Sequence, residues 1–225
     1  MAINYSGKTR IESDLLGEME VPVEALYGVQ TLRGIVNFPI SRFHLNDYPL
    51  FINGLAMTKL GAAEANYQLG LLTEAQYKGI AQACREIMEG QHHDHFPCDM
   101  IQGGAGTTTN MNANEVIANR ALQIMGHEAG EYQYCSPNDH VNCSQSTNDA
   151  YPCGIHLGLY ATHKVFMGHY NDLIASFEKK AKEFAHILKM GRTQLEDAVP
   201  MTLATSSSTS AAERTSTSSS QATES

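Results

Sequence analysis

The sequence predicts a mainly α-helical fold. Apolar residues recur at helical spacing from Leu50 onward. Helix-start and helix-stop signatures bracket those stripes. Strand signals are weak and confined to the segment from Arg10 to Val21, which has room for one short hairpin.

The elements follow in chain order. Asn46-Asp47-Tyr48-Pro49 is a helix start, with Pro49 in the first turn, where a missing N–H is harmless. Leu50, Phe51, Leu55, Leu60 and Ala63 then mark one face. Thr73-Glu74-Ala75-Gln76 fits a capping box, in which the Thr hydroxyl and the Gln amide satisfy free backbone groups. Ile80, Ala83, Cys84 and Ile87 form the next stripe, and Gly90 can end that helix in the left-handed conformation. A third helix is expected from about Asn112 to Met125, with Gly126 beyond it. A fourth, long one is expected from about Asp149 to Leu188. A helix of that length packs in a bundle or across a subunit interface, because one small domain cannot cover it. No internal repeat is present.

The chain has 225 residues, enough for one or two domains. Hydrophobic residues make up 42% and charged residues 17%, as in a soluble globular protein. Fifteen Lys and Arg against 24 Asp and Glu give a net charge of -9. That excess disfavours nucleic acid and anionic membrane as partners. No apolar stretch approaches the roughly 20 residues of a membrane span. The segment from Met1 to Asp14 lacks the apolar core of a secretory signal. The five cysteines are odd in number and contain no C-x-x-C pair. Free thiols in a reducing cytoplasm are expected rather than a disulfide framework or a cysteine-built zinc site. From Ala204 to Ser225 the chain has no aromatic residue and no Leu, Ile, Val or Met, so a disordered Ser/Thr-rich tail is expected there.

Two hydroxyl-rich loops stand out. Gln102-Gly103-Gly104-Ala105-Gly106-Thr107-Thr108-Thr109-Asn110 combines three glycines, which allow close backbone approach, with hydroxyl donors ahead of a helix. A helix N-terminus favours a bound anion. No Gly-Lys-Ser/Thr follows, and no buried strand precedes it, so it is neither a P-loop nor a dinucleotide fingerprint. Taken alone, such a loop is more often a structural connection. The second loop runs from Ser136 to Asp149 with almost no large apolar side chain. Loops of that length inside a compact domain are often functional. Its Ser146-Thr147-Asn148 end offers two hydroxyls and an amide; capping of the long helix accounts for one such residue. A third segment, Met190 to Met201, reads as a helix C-terminus, a Gly turn and an extended exit. Together the segments supply many neutral donors and few cations. That suits a small dicarboxylate whose charge rises on proton abstraction next to a carboxylate.

The segments GGAGTTTNMNAN (Gly103 to Asn114), PNDHVNCSQSTNDAYP (Pro137 to Pro152) and MGRTQLEDAVPM (Met190 to Met201) resemble those of the aspartase/fumarase superfamily. Tyr27-Gly28-Val29-Gln30-Thr31 and Asn37-Phe38-Pro39-Ile40 resemble its N-terminal region. The resemblance covers Met1 to Leu203. Gln194 stands where fumarases usually have His, so the wording leans to the aspartase branch, that is, to aspartate ammonia-lyase. The implied fold is the N-terminal helical domain of that family plus the start of a long central helix bundle. The implied domains are an N-terminal lyase domain (1–141), an incomplete bundle domain (142–203) and the tail (204–225). The implied reaction is reversible elimination of ammonia from L-aspartate to give fumarate. Thr107, Ser146 and Thr147 are expected at the β-carboxylate, Asn148 and Gln194 near the amino group, and Thr193 at the α-carboxylate. No organic cofactor and no metal site is implied; a homo-oligomer, a tetramer in the full-length family, is.

Some residues depart from the family pattern. Thr108 and Thr109 vary the usual run after Gly-Thr. Glu196 stands where Gln is common, and Ser136 where fumarases carry a His of a second anion site. The family supplies its catalytic serine in a G-S-S-x-M-P-G-K-x-N motif, which this sequence does not contain. The base is therefore assigned to no residue, the chain is read as less than half of the enzyme, and inactivity on its own is expected. A fumarase-type lyase and a non-catalytic dicarboxylate-binding protein are the alternatives. Outside these segments, Gln91 to His95 is read as a solvated turn rather than a metal site, and His140 as a loop-stabilising residue. Arg120 and Arg192 are read as partners in ion pairs.

Overall fold

The computed structural model describes residues 5–205. Its order is β1 (Thr9–Asp14), β2 (Gly17–Pro22), α1 (Val29–Asn37), α2 (Pro49–Gln68), α3 (Glu74–Met88), α4 (Thr107–Ile124), α5 (Thr147–Glu183), β3 (Leu188–Thr193) and β4 (Glu196–Thr202). The chain divides into two compact units, Met1–Ala161 and Thr162–Ser225, with the division inside α5.

In the first unit, β1 and β2 form the expected hairpin, with Arg10 opposite Val21. Pro49 occupies the first turn of α2. Thr73 and Gln76 make the reciprocal capping box of α3, and Gly90 has φ +88°. The stripes meet in one core: Ile52 and Leu55 of α2, Ile80 and Ile87 of α3, Val116 and Leu122 of α4 are all fully buried. Gly79 lets α3 approach Ala121, since a Cβ there would lie 3.2 Å from the Ala121 carbonyl oxygen. The start of α5 lies close against α2: a Cβ on Gly54 would fall 2.2 Å from the Gly154 carbonyl oxygen. Pro152 sits inside this part of α5.

Helix α4 begins at Thr107, ahead of the expected Asn112. Its first turns are polar, and periodicity alone reads them as loop. Burial decides otherwise, because Asn110, Asn112, Asn114, Glu115 and Asn119 are all inside, held by side-chain hydrogen bonds. Helix α1 was not anticipated. It lacks a side-chain cap of its own, and Glu12 and Glu115 take its free N–H groups from elsewhere in the chain.

Helix α5 runs from Thr147 to Glu183, so Leu188, expected at its end, lies in β3. Leu159, Tyr160, Val165, Phe166 and Leu173 are exposed along it. In the second unit, β3 and β4 form an antiparallel hairpin, where a Gly turn and an extended exit were expected. The turn residues Gln194 and Leu195 both have left-handed φ (49° and 68°) yet lack the usual Asn-Gly signature. Of the expected tail, Ala204 and Thr205 continue a helical turn from Leu203; the rest lies outside the described residues.

All five cysteines are free, with Cys84, Cys98 and Cys135 buried. No helix among the described residues is long and apolar enough to cross a membrane.

Candidate functional site

Two helix N-termini come together in the first unit. The Gly103–Gly106 loop leads into α4, and Ser146 leads into α5. Gly106 caps α4 at φ +90°, and a Cβ there would lie 2.3 Å from the Tyr151 ring of α5. Only glycine satisfies both demands. Gln102 holds the loop by accepting from the Thr109 N–H at 3.0 Å. Thr107 is the first residue of α4, and its side chain is exposed.

Ser146 caps α5. Its hydroxyl oxygen accepts from the Asn148 N–H at 3.1 Å, while Asp149 accepts from the Ser146 N–H at 3.1 Å. Capping uses the Ser146 lone pairs and leaves its proton available for an acceptor. Asn110 of α4 donates from Nδ2 to Thr147 Oγ1 at 3.3 Å, which joins the two helix starts. A cleft of about 610 Å³ opens there, lined by Met100 to Gln102, Gly104 to Gly106, and Asn148, Tyr151, Pro152 and Ile155.

The structure therefore brings Thr107, Ser146, Thr147 and Asn148 to one region of the first unit. Thr193 and Gln194 lie in the second unit, at the exposed tip of the β3–β4 hairpin, where Thr193 pairs with Glu196. Left-handed backbone at a non-glycine residue costs roughly 1 kcal/mol, so turn geometry alone does not account for Gln and Leu at 194 and 195.

Several residues beneath the cleft escaped the sequence reading. Lys59 of α2 is fully buried, and its Nζ donates to Asn142 Oδ1 and Gln145 Oε1, both at 3.0 Å. Among the described residues it has no carboxylate partner. Burial pushes its ammonium down to about 7. Asn142 Oδ1 also accepts from Asn110 Nδ2 and Asn114 Nδ2, each at 3.1 Å. The signal was present: Lys59 sits between Leu55 and Ala63 on the apolar face of α2, where a charged residue breaks the pattern.

The residues set aside are accounted for. Arg120 pairs with Glu86 through two nitrogens, at 2.6 and 3.1 Å, and holds the Glu86 carboxyl down at about 2. Arg192 pairs with Asp197 at 3.0 Å. His140 steadies its loop by accepting from the Ser136 N–H at 2.7 Å. The His segment is less solvated than expected. His95 is buried, accepts from the Leu26 N–H at 3.1 Å, and is pushed by burial down to about 4. Among the described residues no group of three or more His, Cys, Asp or Glu side chains is placed to hold a metal ion.

The chain is thus mainly helical, with a cleft lined by loop glycines at paired helix starts. The family model described as lyase matches residues 17–224, and the chain belongs to that family. Within it, the chain is a member of the aspartase/fumarase superfamily and is similar to the N-terminal part of aspartate ammonia-lyases. It is 57% identical over 194 residues to the aspartate ammonia-lyase of Pseudomonas canavaninivorans, covering 86% of this chain and 41% of that one. It is 53% identical over 199 residues to that of Escherichia coli K12, covering 88% and 42%. Among solved structures, a fumarate lyase:delta crystallin from Brucella melitensis superposes with a TM-score of 0.86 at 48% identity, over 94% of this chain and 46% of that one. A class II fumarase from Schistosoma mansoni superposes at 0.79 and 36% identity, over 92% and 44%. The chain thus spans about two fifths of the length of the curated relatives it matches.

Proposed function

We propose that this chain carries part of the dicarboxylate site of an aspartate ammonia-lyase, whose reaction is the reversible elimination of ammonia from L-aspartate to give fumarate. The observation that carries the reading is the Asn110–Thr147 hydrogen bond, which joins the starts of α4 and α5 beside the cleft. Thr107, Ser146 and Thr147 donate to the β-carboxylate, which becomes an enediolate-like dianion once a proton leaves Cβ. Neutral donors already aimed at that charge are worth several kcal/mol in such a step. Asn148 attends the amino group; by the family resemblance Gln194 serves an amino group and Thr193 an α-carboxylate in the assembled enzyme. The similarity to enzymes named aspartate ammonia-lyase supports this choice of substrate.

The family's serine motif does not occur among these 225 residues, so no residue here takes the role of base. We infer that the chain alone binds without turning over. The exposed apolar residues of α5 support a homo-oligomer, and the free thiols support a reducing cytoplasm. A fumarase-type lyase is the second reading, supported by the likeness to a class II fumarase.

The test is twofold. Fumarate absorbance is followed with aspartate and with malate, and binding of succinate is followed by titration. No turnover is expected, with succinate binding weakened at least tenfold by Thr147→Val. Robust turnover of aspartate overturns the inactivity, turnover of malate alone overturns the branch, and unchanged succinate affinity in the variant overturns the site.

A further inference from the structure

The side chains that meet at Asn142 form a chain with a fixed sense. As an ammonium, Lys59 Nζ has only protons to give, so the atom of Asn142 that faces it at 3.0 Å is the oxygen. Asn142 Nδ2 then faces the other way and donates to the Gln145 carbonyl at 3.0 Å. Because Asn142 presents oxygen, Asn110 turns its Nδ2 toward it, at 3.1 Å, and that same nitrogen donates to Thr147 Oγ1 at 3.3 Å. Asn114 is held in the same sense. The arrangement leaves a mark: among the described residues, Asn110 Oδ1 and Asn114 Oδ1 are buried without a hydrogen-bond partner. Two buried acceptors left unpaired carry a cost, which the network bears in keeping both Nδ2 groups turned toward Asn142 Oδ1.

We propose that Lys59 is a positioning residue: through Asn142 and Asn110 its ammonium fixes the direction of the Thr147 hydroxyl, so that Thr147 offers its proton to a bound carboxylate. This rests on the reading of Thr147 as a dicarboxylate ligand. A hydroxyl whose oxygen already accepts from Asn110 turns its hydrogen away from that contact. The same cation holds Gln145, one residue before the Ser146 cap, while Asn66 Nδ2 donates to the Cys143 carbonyl at 2.9 Å. The 142–148 segment is thereby tied to α2.

The experiment uses the full chain at pH 6, where Lys59 is charged. Backbone hydrogen exchange and succinate titration are compared for the wild type, Lys59→Met, Thr147→Val and the double variant. In Lys59→Met, exchange over 142–148 accelerates at least tenfold while the core amides of α3 stay protected. Succinate affinity falls at least tenfold, as in Thr147→Val, and the double variant binds no worse than Thr147→Val alone. Asn110→Leu, which interrupts the chain without touching the cation, gives the same loss of affinity and covers the case in which Lys59→Met does not fold. Unchanged loop exchange in Lys59→Met, or losses that add in the double variant, overturns the proposal. Failure of the wild type to take succinate sinks the dicarboxylate reading instead, and the exchange comparison still decides whether Lys59 orders the loop.

Discussion

Glu115 Oε2 lies 2.8 Å from the backbone nitrogen of Gly28, so a carboxylate at the middle of α4 caps a helix whose N-cap residue stands 87 residues earlier. The same side chain accepts from the Gln30 and Thr31 N–H groups at 2.9 and 3.0 Å, and Glu12 takes the Val29 N–H at 2.9 Å. Between them the two carboxylates satisfy the free donors of the first turn of α1. Gly28 is required for this closeness, since a Cβ there would meet Glu12 Oε2 at 2.5 Å. Glu115→Ala removes three charge-assisted hydrogen bonds and leaves buried donors unpaired. A loss of about 2–4 kcal/mol in urea unfolding is expected. Glu115→Gln, which turns an amide group onto N–H donors, is expected to lose stability as well.

Gly106→Ala strains a backbone at φ +90° and drives a methyl group into the Tyr151 ring. Destabilisation of about 1–3 kcal/mol is expected, together with weakened succinate binding. Thermal unfolding and titration of the same sample check both. A variant with unaltered Tm and affinity removes the glycine from the account of the cleft.

Lys59 makes stability depend on pH in a direction opposite to that of a lysine held in an ordinary ion pair. Its ammonium falls from 10.5 to about 7 on folding. Below pH 7 both states hold the proton, and the burial penalty is felt in full. Between pH 7 and 10.5 the unfolded chain holds the proton and the folded one does not, so stability rises with pH. Relative to Lys59→Met, the wild type should gain up to about 1.4 kcal/mol per pH unit across that window. The buried thiols of Cys98 and Cys135 oppose this above pH 9 but are common to both proteins, while that of Cys84 also feels the Lys59 charge. Denaturant midpoints at pH 6, 7.5 and 9 give the comparison.

The Glu86–Arg120 pair also gains stability as pH rises, but in the acid range and through attraction rather than relief of a burial penalty. Glu86 drops from 4.5 to about 2 on folding, chiefly through Arg120. Its contribution is complete above pH 4.5 and disappears as pH falls through 2. Arg120→Met should cost about 1–3 kcal/mol at pH 7 and progressively less below pH 4.5. A difference that stays constant from pH 7 to 3 contradicts the pairing.

Legibility from sequence followed the range of the interactions. The capping box at Thr73 and the proline at α2 are local chemistry, and both stand where local rules put them. Helix α1 is capped from Glu12 and Glu115, so nothing near Gly28 announces it. The first turns of α4 are polar and helical only because Asn110 and Asn114 find partners in another loop. The β3–β4 turn is built on Gln194 and Leu195, which lack the residue types that mark a hairpin. The loops at 102–110 and 136–149 were visible as composition. The cation beneath them was visible only as an interruption of an apolar face.

Pro152 brings no N–H to the Asn148 carbonyl one turn before it in α5, and both residues line the cleft. The Asn148 carbonyl thereby loses its ordinary helical donor at the edge of the cleft. Fumarate has no proton to give to such an oxygen; an amino acid has three on its nitrogen. A group that brings its own proton to that oxygen would be favoured there over one that has none, as an ammonium is over an olefin.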